Sequence, residues 1–403
     1  MIASDIHSPA IRHAGRDVLS LALMDARNRS LRWCAAFEAA AGLPSSAEFD
    51  PPLWLIGHLA WFQEAWIARN VQRQRGVRCD PRGTRLASID PRADDRCDPA
   101  ATSRQARWAS PPPDAQTLRD YLAATMEVTL ELLESAADSD DALYFYRLAL
   151  FHEDRCTEAL AEIAQATGVA PPAGLSREAA AGAAREPLLF PATHWALGAA
   201  SDGGGFVFDN EKWAHQVALP EFEIDAQPVS WAQYTEFTED GGYDDARWWS
   251  ADGWPWLQRE GRRVPRHVEQ MRAGVLQRRF GAVQRVPLAQ PVSHVAWYEA
   301  DAWCRWAGRR LPVEAEWDLA AHSGAPRGFR WGGVREWTAG SLRAWPGFTP
   351  DPWSVIPPSV FGAHKAVRGA SWATPARLRD PALRSALPPQ HDLAFTGFRS
   401  CAG

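Results

Sequence analysis

From residue 16 the chain carries mostly apolar side chains at helical spacing. Leu19, Leu23, Ala26, Ser30, Trp33 and Phe37 fall on one stripe. That predicts a helix over 16–42, stopped near Gly42 and Pro44. A second stripe, Leu55, Leu59, Phe62 and Trp66, follows Pro51-Pro52, a pair suited to a first helical turn, with His58 on its edge. A third helix is expected at about 114–137. The fourth contains Tyr144–Leu160 and extends to about Thr167, with Gly168 as its stop. Residues 76–113 are rich in Arg, Asp and Pro and have no clear period, so this long connection can be ordered only by packing on something else. Four amphipathic helices with one long connection predict a four-helix bundle, an architecture that places metals between facing helices.

After residue 168 the texture changes. Residues 169–190 are rich in Ala, Pro and Gly and read as a linker. Beyond them turns are frequent, Gly, Pro and Trp are dense, and short strand patterns surround helices at 231–242 and 298–311. The expected fold is therefore α+β in two domains: a helical bundle over 1–168 and an irregular, loop-rich domain over 191–403. No internal repeat is visible.

Composition narrows the function. The chain has 403 residues and a net charge of −6, so it has no basic footprint for nucleic acid. No apolar run approaches the length of a membrane span. The N-terminus lacks an apolar signal core, so a cytoplasmic protein is expected. Six scattered cysteines without a CxxC pair read mostly as free thiols. The 21 tryptophans read equally as an aromatic pocket for a cationic ligand or as the core of a loop-rich domain.

The candidate chemistry lies on the fourth helix. His152 and Cys156 stand four apart and point from one face, a spacing that suits two ligands on one metal ion and equally suits packing. Glu153, Asp154 and Glu158 add negative charge around them. His58, on the second helix, reads either as a core histidine or as a ligand converging on the same point.

Several stretches resemble known families. VSWAQYTEFTEDGGY, PVSHVAWYEADAWCRWAGRRLPVEAEWDLAA and HKAVRGASWAT…FTGFRSC look like a formylglycine-generating-enzyme-like domain, a fold related to C-type lectins. GHLAWFQE and FHEDRCTEAL look like a DinB-type bundle. In this order they resemble the ergothioneine-type sulfoxide synthases and selenoneine synthase, from residue 16 to the end. The resemblance implies a mononuclear non-haem Fe(II) enzyme that uses O2. It would form a carbon–sulfur or carbon–selenium bond at the imidazole of hercynine, the trimethylammonium betaine of histidine. It places metal ligands at His58, His152 and Cys156, and it puts Glu158 on the motif's final Glu. Cys156 stands where the family has a second motif histidine. Arg155 stands at a position lining the hercynine pocket.

The resemblance also bears on the donor. Ser385, Leu387 and His391 stand where Asn, Asp and Arg would serve γ-glutamylcysteine. That favours a neutral, hydroxyl-rich donor such as a selenosugar over a thiol peptide. Trp345-Pro346-Gly347-Phe348 replaces a segment that can supply a tyrosine, and Trp cannot donate as a phenol does. No catalytic residue is assigned. Trp345, Phe348, Trp372 and Ser385 are expected at the substrate. Arg368 and Arg399 read equally as carboxylate anchors and as loop braces. Cys304, inside a helix, and Cys401, at the terminus, do not form the copper-binding pair of true formylglycine-generating enzymes, so formylglycine generation is not expected.

Overall fold

The computed structural model describes residues 6–40, 42–111, 113–175, 185–272 and 274–403. Four long helices form the first domain: α1 (Arg16–Ala39), α2 (Pro52–Gln63), α3 (Ala115–Glu134) and α4 (Asp140–Thr167). Their ends follow local chemistry. Pro52 opens α2. Asp114 caps α3 by accepting from Thr117 N. Ser139 caps α4 by accepting from Ala142 N, and Gly168 ends it at φ 78°. Helices α1 and α2 each pack on both α3 and α4. Helix α2 runs on into one π-helical turn, Glu64–Ala68.

The aperiodic stretch after α2 is ordered by packing on that helix. It contains two short helices, Ala93–Cys97 and Arg104–Ala109. Trp61 Nε1 donates to Asp94 at 2.7 Å, and Arg69 grips Asp94 bidentately at 2.7 and 2.8 Å. Trp54 Nε1 donates to the Arg96 carbonyl. Arg107 lies 3.8 Å above the Trp54 ring and pairs with Asp50. Such contacts leave no trace in sequence periodicity.

The second domain is built on short sheets. Arg384–Leu387, Lys365–Arg368 and Arg335–Ser341 run antiparallel in that order, and Thr396–Gly397 joins the far edge in parallel. A second sheet orders Leu188–Phe190, Phe222–Ile224, Cys401–Ala402 and Arg309–Arg310. Helices Trp231–Glu239, Trp297–Trp306 and Glu314–Ser323 cover them. Much of the tryptophan goes into this core: Trp231, Trp317 and Trp337 are fully buried, and Trp249, Trp256, Trp297 and Trp303 pack around them or nearby. The middle of the expected linker, residues 176–184, lies outside the described residues.

The apolar core runs from one domain into the other. Phe206, Phe208, Leu378 and Leu383 pack with Phe145, Phe151 and Leu148 of α4. Leu393 and Phe395 pack with Trp33, Phe37 and Leu160. Helix α4 is consequently buried nearly all round, which is why its polar residues need partners on both sides. Glu153 faces the bundle, where Arg27 Nε and Ser30 Oγ donate to it at 3.0 and 2.6 Å. Asp154 and Glu158 face the second domain. Arg377 binds Asp154 bidentately at 2.7 and 3.0 Å. Glu158 accepts from Arg335, Ser371 and Thr374 at 2.5, 2.7 and 2.7 Å. Glu158 therefore ties the domains together.

Candidate metal centre and its surroundings

His58 and His152 face each other across the junction of α2 and α4. Their Nε2 atoms are 3.1 Å apart, and Cys156 Sγ lies 3.6 Å from His152 Nε2. The His58 ring is stacked against Trp54 and Trp61, with centroids 5.4 and 5.5 Å away. Its Nδ1 is 2.9 Å from the Cys97 carbonyl. A carbonyl only accepts, so Nδ1 carries the proton and Nε2 presents its lone pair toward His152. Gly57 lets this segment approach, because a β-carbon there would stand 3.2 Å from Cys97 Sγ. The His152 ring is stacked on Phe62 at 3.7 Å and meets the edge of Trp353 at 5.2 Å.

The electrostatics keep both rings neutral. Burial, partly offset by the Cys97 carbonyl, lowers the His58 pKa. Burial, helped by His58 and Arg155, holds His152 well below the usual histidine value. Neutral imidazole is the form that binds a metal. The Cys156 thiol is pushed up to about 12, mainly by burial, so it is a thiol until a cation draws off its proton.

These donors can be tested against a metal. Two nitrogens at roughly 2.1 Å from an ion, at angles between square and tetrahedral, stand roughly 3.0–3.4 Å apart, and a nitrogen and a thiolate sulfur roughly 3.6 Å. The observed 3.1 and 3.6 Å match. Both contacts end on His152, however, and among the described residues no group of three or more His, Cys, Asp or Glu side chains forms a metal cage. The two imidazoles fit a divalent transition metal. Cys156 fits as a third donor once it is deprotonated and turned toward the ion.

The other expected site residues take varied places. Arg155, half-buried beside Cys156, makes no hydrogen bond or ion pair among the described residues; its guanidinium lies 5.9 Å from the Phe208 ring centroid. Trp345 packs under Arg384 at 4.3 Å and against His215. Phe348 meets Phe361. Trp372 meets Phe280 and Phe395 at the domain junction. Ser385 Oγ is buried without a partner among the described residues. None of these four rings or hydroxyls is among the aromatic or hydrogen-bond contacts of His58 and His152; those come from Trp54, Trp61, Phe62, Trp353 and the Cys97 carbonyl. Of these only Phe62 had a sequence signal, through its place on the apolar stripe of α2. Arg368 and Arg399 are held by buried carboxylates: Arg368 by Asp318 and Glu314, Arg399 by Glu336. Both are braces.

Two expected results follow from these contacts. Asp94 anchors the short helix that presents the Cys97 carbonyl to His58. Asp94→Ala should therefore weaken metal binding by about 10–100-fold, as losses of outer-shell support do, measured by anaerobic metal titration. Glu162, two turns beyond Arg155 on α4, has Oε1 buried without a partner. Burial raises its pKa from 4.5 to about 7, against the pull of Arg335. The fold then binds a proton that the unfolded chain releases near 4.5, so this group lowers stability as pH rises from about 4.5 to 7. Glu162→Gln should flatten that slope, removing on the order of 1–3 kcal/mol of pH dependence in urea unfolding.

Comparison with known proteins places this geometry. Residues 22–172 match the DinB superfamily, and residues 174–333 match the Sulfatase-modifying factor enzyme 1-like domain. The chain is a two-domain α+β protein joining a DinB-type helical domain to a formylglycine-generating-enzyme-like domain. It is a relative of proteins named hercynine oxygenase. It is 29% identical to that of Mycolicibacterium smegmatis, over 95% of this chain and 98% of the relative. It is 27% identical to that of Mycobacterium tuberculosis, over 94% and 97%. A formylglycine-generating enzyme of Streptomyces coelicolor is 32% identical, over 37% of this chain and 51% of its own. No helix among the described residues is long and apolar enough to cross a membrane.

Proposed function

We propose that the protein is a non-haem Fe(II), O2-dependent oxidoreductase acting on hercynine in the cytoplasm. Its product carries a new carbon–selenium or carbon–sulfur bond on the imidazole ring. The observation that carries this reading is the His58–His152 pair at metal-ligand separation, with Cys156 beside it, in a chain similar to hercynine oxygenases over nearly its whole length.

His58, His152 and Cys156 would hold the iron, which when bound supplies the redox chemistry with O2. The chain's own residues do the rest. The Cys97 carbonyl fixes the His58 tautomer. Phe62 and Trp353 wall the metal position and exclude water. Arg155, Trp345, Phe348, Trp372 and Ser385 are assigned to the substrates. The donor reading leans to a selenosugar, because Leu387 and His391 stand where charged residues would hold a thiol peptide; a thiol donor is the alternative. One observation favours a second reading, a binding protein that has lost iron: Cys156 is held as a thiol, and the described donors do not close a cage.

The test is anaerobic Fe(II) loading followed by hercynine-dependent O2 uptake, with a selenosugar, γ-glutamylcysteine and cysteine offered in parallel. Turnover on the selenosugar alone supports the reading. Turnover on a thiol moves the donor, and no iron with no uptake leaves the binding protein. Cys156→His should raise iron affinity by at least about tenfold, since a neutral imidazole binds without first losing a proton. Equilibrium metal titration above and below pH 7 checks this, and the gain should be larger at the lower pH.

A further inference from the structure

Helix α4 carries Arg155, Glu158 and Glu162 on one face, at spacings of three and four. Arg335, on the strand Arg335–Ser341 of the second domain, binds Glu158, and its charge acts on Arg155 and Glu162 as well. The charges do not balance. Glu158 is taken by Arg335, Ser371 and Thr374. Glu211, the other carboxylate that Arg155 feels, is held by both terminal nitrogens of Arg12 at 2.7 and 3.2 Å. Among the described residues Arg155 is thus left without an ion-pair partner, one residue from Cys156 and three from His152. Arg335 repels it, and Arg335 Nε is itself buried without a partner among the described residues. Glu162 makes no hydrogen bond among the described residues and leaves Oε1 buried and orphaned.

Two guanidinium groups sharing one engaged carboxylate form a half-finished ion cluster. The missing member is an anion, and a carboxylate matches the guanidinium fork. We propose that Arg155, with Arg335 behind it, is a subsite for the carboxylate of a zwitterionic substrate at the His58–His152 pair, and that Glu162 takes up a proton as this subsite fills. The inference rests on the metal-site reading above and deepens it by fixing the orientation of the substrate. The carboxylate turns to Arg155, and a quaternary ammonium turns away from it.

The proton follows from electrostatics. A carboxylate on Arg155 adds negative charge near Glu162 and makes its ionised form less favourable. The groups facing Glu162 are Arg155 and Glu158 on its own helix and Arg335 from the second domain. Arg335 stays paired with Glu158, so none of the groups facing Glu162 compensates the added charge.

Calorimetry tests both parts on the full chain. Hercynine is titrated into wild type, Arg155→Gln and Glu162→Gln at pH 7.5, in two buffers of different ionisation enthalpy. Wild type should take up a fraction of one proton per hercynine bound. Arg155→Gln should bind about 10–100-fold more weakly, the worth of a charged hydrogen-bond pair. Glu162→Gln should bind without proton uptake. Equal affinity in wild type and Arg155→Gln, with both folded by circular dichroism, overturns the anion subsite. Uptake that persists in Glu162→Gln overturns the proton assignment. If wild type does not bind hercynine, the proposed substrate falls and imidazole-4-acetate decides the subsite. Binding lost in Arg155→Gln keeps it, and binding that is absent or unchanged overturns it.

Discussion

Asp154→Ala should lower stability by about 3–5 kcal/mol, the cost of leaving a buried charge without its partner. Asp154 and Arg377 have fully buried side chains and join α4 to the second domain by two hydrogen bonds. After the substitution Arg377 keeps only Asp25, which is part-exposed, and the Ile6 carbonyl. The desolvation of the guanidinium is then only partly offset. The same truncation at the surface pair Arg78–Asp141, whose side chains are 71% and 42% exposed, should cost under about 1 kcal/mol. Urea unfolding of both variants checks the contrast. A loss at Asp154 no larger than at Asp141 would contradict this account of the interface. Because the core is shared, one cooperative transition is expected, and Asp154→Ala should shift its midpoint without splitting it.

The second large effect concerns the metal. His152→Ala should reduce bound Fe(II) from about one per chain to near none, with affinity lost by at least about 100-fold. His152 is the hinge of the site, since both other donors contact its Nε2. His58→Ala should behave alike. His194→Ala should not, because that ring is exposed on a strand of the second domain. Metal analysis after anaerobic loading and desalting separates these cases without reference to turnover.

What the sequence showed and what it hid divide along physical lines. The four long helices were visible because apolar spacing, Pro51-Pro52 and Gly168 are local signals. The ends moved by a few residues, as with α4, which starts at Asp140 behind the Ser139 cap. His58 and His152 meet through their Nε2 atoms, and Cys156 lies beside His152. The partner of His58 was invisible, since a backbone carbonyl 39 residues away has no residue-type signature. So was the role of Trp353, which reaches His152 from a loop 201 residues further along the chain. Glu158 looked like a surface or outer-shell group on a helix. In the fold it is an interdomain tie, because α4 is covered on both sides. Arg368 and Arg399 could not be told from substrate anchors until Asp318, Glu314 and Glu336 were seen to hold them. The tryptophans resolved mostly into core, with Trp54, Trp61 and Trp353 left around the two histidines.

The measurement that bears most directly on the central claim is O2 consumption by the anaerobically Fe(II)-loaded protein on adding hercynine and a chalcogen donor. Iron content is determined on the same sample, beside His152→Ala. The account predicts about one iron per chain and O2 uptake that requires both hercynine and donor, with both lost in the variant. Iron-free protein, or uptake that ignores hercynine, would contradict it.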